Sequence, residues 1–69
     1  MFRRELRFAG HVRSFLISQL GNGGWEVRRE EDQQIVKQVR YTDWHRVERA
    51  MGMFLLEIGE LENQGWVAG

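Results

Sequence analysis

The chain has 69 residues, with ten Lys or Arg, ten Asp or Glu and no Cys. That length holds one domain, which buries only about 60% of the surface its unfolded chain exposes and is marginally stable. The missing cysteines exclude a disulfide framework, a thiolate zinc site and a cysteine nucleophile. Zero net charge argues against a dedicated nucleic-acid binder, which carries a basic excess.

Residues 2–8 alternate. Phe2, Leu6 and Phe8 share one face, with Arg4 the exception, and Arg3, Glu5 and Arg7 share the other. Period two predicts a strand. A helix running on to Leu20 is the competitor, because Arg, Glu and Leu are good helix formers. Val12, Phe15, Leu16, Gln19 and Leu20 then fall at helical spacing and predict a short amphipathic helix over residues 10–20. The cluster Gly21-Asn22-Gly23-Gly24 ends it. Residues 25–30 alternate again, and so do 34–41. The polar break Glu31-Asp32-Gln33 between them predicts a β-hairpin. Thr42 or Asp43 is a helix N-cap. From there Trp44, Val47, Met51, Phe54, Leu55, Ile58 and Leu61 step by three or four, the strongest periodic signal in the chain. It predicts a helix of about 20 residues, stopped at Asn63-Gln64-Gly65. Gly52 and Gly59 lie inside that helix on one shared face. Trp66-Val67-Ala68 has room only for a stub strand.

The halves 2–30 and 34–69 read as a pseudo-repeat. Arg4-Glu5-Leu6-Arg7-Phe8 matches Lys37-Gln38-Val39-Arg40-Tyr41, and each half continues through a helix to Gly-Trp. Two strand–helix–strand units in tandem predict a single α+β domain over 1–69 of ferredoxin-like βαββαβ topology. One antiparallel sheet would carry two helices on one face, with the two Trp-bearing strands at its edges. The alternative is αββα, with an N-terminal helix replacing the first strand.

No residue pattern assembles a catalytic or metal-binding set. His11 and His45 have no ligand spacing such as His-Glu-x-x-His and read as exposed helix-start histidines. Gly21-x-Gly-Gly follows a helix rather than a strand, the wrong order for a dinucleotide fingerprint. No cofactor and no metal are expected. An enzyme is not expected either, apart from an active site completed across a dimer.

The first forty residues hold eight basic against five acidic residues, an excess of +3; the remainder holds two against five, −3. Opposite poles suit self-association or docking on a charged protein. Large apolar residues on the last helix outnumber what one short sheet covers. The expected function is therefore a non-enzymatic, protein-binding or regulatory domain that forms a homodimer or docks on a partner protein, an inhibitor-type protein being one form of it. Gly52, Met53, Leu56 and Gly59 are the candidate contact residues. The alternative is a nucleic-acid binder using a basic sheet patch of Arg3, Arg7, Arg28 and Arg40. No apolar run reaches the ~18 residues of a membrane span. Met1–Glu5 lacks the apolar stretch of a secretory leader, so a cytoplasmic location without membrane attachment is expected.

Overall fold

A computed structural model describes residues 1–69. Its elements are β1 (Phe2–Phe8), β2 (His11–Gln19), β3 (Trp25–Glu31), β4 (Gln34–Tyr41), α1 (Trp44–Asn63) and β5 (Val67–Ala68). The first four strands form an antiparallel meander. Helix α1 then crosses one face, and β5 pairs antiparallel with β1, giving one sheet in the order β4-β3-β2-β1-β5.

This overturns both expected topologies. There is one helix, not two, so the βαββαβ arrangement fails at residues 11–19. The αββα alternative fails at residues 2–8, which form a strand as their alternation predicts. The cause of the first error is local. Val12, Phe15, Leu16 and Gln19 satisfy a helical period, but Phe15 and Ile17 also satisfy a strand period, and both are fully buried on the same face. Ala9 and Gly10 decide between the two periods. Both adopt positive φ, 52° and 80°, the conformation of a two-residue hairpin turn whose twist suits antiparallel strands. That turn folds β2 straight back on β1, pairing Phe8 with His11 and Phe2 with Ile17. The strand bearing Trp25 is consequently an inner strand rather than an edge.

The hairpin of β3 and β4 forms as expected, with Asp32 and Gln33 as its two positive-φ residues. A register shift after Arg29 brings Ile35 opposite Glu30, so Ile35 leaves the inward set that simple alternation assigns it to. Gly24 is required by the chain beside it, since a Cβ there would stand 3.0 Å from the Tyr41 carbonyl oxygen.

Helix α1 matches its predicted bounds. The Asp43 side chain accepts a hydrogen bond from the His45 N–H, satisfying one of the free amides at the helix start. At the far end Gly65 turns at φ 106°, and the Trp66 N–H donates back to the Leu61 carbonyl. Val47, Phe54, Ile58 and Leu61 face the sheet, where they meet Leu6, Phe15, Ile17 and Val27; Trp66 closes the layer. Phe54 is the centre of this contact, edge-on to Phe15 at 5.0 Å and tilted against Phe2 at 6.3 Å. Two members of the predicted stripe lie outside it. Trp44 leans on Trp25 at 5.3 Å, and Leu55 is about half exposed.

Candidate interaction surfaces

Three surfaces present chemistry to solvent. The first is the sheet face turned away from α1. Strand alternation places Arg3, Glu5 and Arg7 there from β1, Glu26, Arg28 and Glu30 from β3, and Gln38 and Arg40 from β4. Glu26 is its hub. Its carboxylate accepts from Gln38 at 2.7 Å and from Arg40 at 3.3 Å, and Arg28 lies between Glu26 and Glu30. Arg7 pairs with Glu5 at 2.9 Å. Of the four arginines expected to form a basic patch, Arg7, Arg28 and Arg40 are thus already neutralised, and only Arg3 makes no ion pair. The face also carries no aromatic ring, because Phe2, Phe8, Phe15, Trp25 and Tyr41 all fall on the helix side. Single-stranded nucleic acid is held largely by stacking on such rings.

The hydrogen bond from Gln38, with support from Arg40 and Arg28, holds the Glu26 carboxyl below its ordinary value of 4.5. Asp32 is likewise lowered from 3.8, first by His11 and then by the Val12 N–H, which donates to it at 2.9 Å. A carboxyl whose folded value is depressed adds stability above its unfolded value, and that stability is lost as pH falls through the folded value. Thermal stability is therefore expected to be level near neutrality and to decline once pH drops below 4.5, the ordinary value of Glu26. Glu26→Gln should have a lower melting temperature at neutral pH and a flatter acid limb in calorimetric scans. An unchanged acid limb would remove Glu26 from this account.

The second surface is a groove of about 840 Å³ between α1 and the β3–β4 half of the sheet. Val27, Tyr41 and Phe54 form its floor. Arg29 and Lys37 rise from the sheet side, and Arg46, Arg49, Glu57 and Glu60 from the helix side. The groove exists because β4 has no fully buried residue, so α1 covers only part of the sheet. Arg29 and Glu57 clasp across it at 2.9 and 3.0 Å. Sequence reading did not find this groove. Its signal was present in β3, where Arg29 follows Trp25 and Val27 on the inward side.

The third surface is the outer side of α1, where all four expected contact residues sit. Met53 and Leu56 are 61% and 66% exposed. A Cβ built on Gly52 or Gly59 would meet nothing within 4 Å, so nothing inside the chain requires glycine at either position. His11 opens strand β2 rather than a helix and contacts Asp32 at 2.9 Å, whereas His45, in the first turn of α1 as expected, contacts Glu48 at 3.6 Å. No helix is long and apolar enough to cross a membrane.

The chain matches no family model, and no curated protein or solved structure is significantly similar to it.

Proposed function

We propose that this protein acts without catalysis, as a binding domain that associates with protein, its own copy included, through the outer side of α1. One observation carries the reading. Met53, Leu55 and Leu56 are 61%, 47% and 66% exposed on adjoining positions of one helix, in a domain with only nine buried hydrophobic residues. Met53 and Leu56, three apart, adjoin on the outer side, and Leu55 widens the apolar surface across Gly52 and Gly59; exposed apolar surface of this kind, rimmed by charge, supports an interaction site.

Sedimentation across the micromolar range tests this. The expected result is a concentration-dependent mass rising above the 8.2 kDa of one chain. Leu56→Asp should hold the protein at monomer mass while keeping the circular-dichroism melt of the dilute, monomeric wild type, because the side chain is exposed in the fold but a carboxylate is costly to desolvate in an apolar contact. A wild-type protein that stays monomeric over that range overturns the reading.

A further inference from the structure

Resting on that reading, we infer that the occupant of the outer face of α1 is a second copy of α1, laid antiparallel about a two-fold axis at the level of Phe54. The exposed apolar residues show that no element of the chain itself covers this face; the charges select the partner and its direction. Helix α1 has no acidic residue in its first turn and no basic residue in its last. Arg46 and Arg49 lie instead in its N-terminal half and Glu57, Glu60 and Glu62 in its C-terminal half. In one chain alone, these charges oppose the helix dipole, whose positive end is the N-terminus. A second helix running the other way lays its acidic half on the basic half of the first and sets the two dipoles head to tail.

The register follows from helical spacing. His45, Arg49, Gly52, Leu56, Gly59 and Asn63 recur every four and three residues along the outward side, which is the repeat of a helix–helix seam. An antiparallel pairing centred on residue 54 seats Leu56 over Gly52 of the other copy, a large side chain on an open one. It also brings Met53 of the two copies together beside the axis. On the same edge of the seam Arg46 faces Glu60 of the other copy. Neither of these two has an ion-pair partner within its own chain, whereas Glu48 already contacts His45. A parallel pairing would instead stack Arg49 on Arg49 and Leu56 on Leu56. The opposite edge sets Glu48 against Glu62, a like-charge pair that keeps the antiparallel association modest. The pairing also walls the groove, because Arg49, Met53, Leu56 and Glu60 line both.

Charge reversal tests the geometry on the intact chain. Arg46→Glu and Glu60→Arg should each weaken dimerisation by roughly tenfold, and the double variant should restore it. Melts recorded in dilute, monomeric solution should not fall for either single variant, since each removes a charge opposed to the dipole. Association and fold stability then move in different directions, which a merely structural role would not produce. The chain has no cysteine, so Met53→Cys should cross-link between copies on mild oxidation. His45→Cys should not, because its counterpart lies ~27 Å away along the paired helices at ~1.5 Å per residue. A dimer indifferent to the single reversals, or not restored by the double, overturns the antiparallel register and leaves self-association standing; efficient His45→Cys cross-linking does the same. A wild-type monomer overturns both.

Discussion

Phe54→Ala is expected to leave the protein largely unfolded at physiological temperature, with no cooperative thermal transition. The ring is 6% exposed and lies between Phe15 and Phe2, so its removal opens a cavity that sheet and helix share. Truncating a buried Phe costs about 3–5 kcal/mol. At roughly 0.05–0.15 kcal/mol per residue, a chain of this length holds only about 3–10 kcal/mol in total. The loss matches or exceeds the lower end of that range, and a chain this short, with nine buried apolar residues, lies toward that end. Leu55→Ala is the matched control on the next residue. It is half exposed, and its effect should stay within about 0.5 kcal/mol. Melts of the two variants by circular dichroism check the pair. A well-folded Phe54→Ala beside a collapsed Leu55→Ala would place the wrong face of α1 against the sheet.

The contrast between those neighbouring residues marks how far the sequence was readable. The extent of helix α1 was legible, because its period persists over five turns and both ends carry boundary signals, Asp43 before it and Gly65 after; its buried face was legible except at Trp44 and Leu55. The hairpin of β3 and β4 was legible too, since Trp25 and Val27 alternate cleanly with polar neighbours. Residues 11–19 were misread because nine residues are too few to separate the two periods. Phe15 and Leu16 serve a helix face, while Phe15 and Ile17 serve a strand face. The deciding residues lay just upstream, in the Ala9-Gly10 turn, where Gly10 alone hints at a hairpin, because the preferred turn pairs put Asn, Asp or Gly rather than Ala in first place. The apparent repeat added to the error by lending this segment the helical form of its counterpart. For the candidate surfaces, exposure of Met53 and Leu56 followed directly from the helix register. The mixed-sign outer face followed too, since Glu26, Arg28, Glu30, Gln38 and Arg40 alternate onto one side of the hairpin and suit ion pairing; which partners meet did not, because only the strand register fixes it. The groove was illegible for the same reason. It arises from where α1 ends its coverage of the sheet, a property of two elements together.

The groove's ion pair gives the second large effect. Arg29 stands on the inward side of β3, between Phe15 on β2 and Lys37 on β4, and one guanidinium nitrogen reaches both Glu57 oxygens. Each side chain is about 30% exposed, so both charges are partly desolvated, and the Arg29 Nε has no hydrogen-bond partner. Glu57→Ala removes the nearer carboxylate from a cation that the strand holds against the core, leaving it only Glu31 at 4.0 Å. It should cost about 1–3 kcal/mol, the penalty of stranding a half-buried charged group. Replacing both, as Arg29→Leu with Glu57→Leu, should recover that loss or exceed it, because paired apolar side chains of similar size commonly match a buried ion pair. They would also continue the apolar floor begun by Val27. Urea melts of Arg29→Leu, Glu57→Leu and the double close the cycle, with Glu57→Ala as the truncation control. Destabilised singles with a recovered double mean that the clasp fixes where α1 sits on the sheet more than how tightly it is held. If Glu57→Ala melts like the wild type, the pair is only a surface contact, and the groove keeps its shape without it. Glu57 lies on the sheet side of the helix seam, so the double variant should dimerise as the wild type does, separating the packing of the fold from the pairing of its copies.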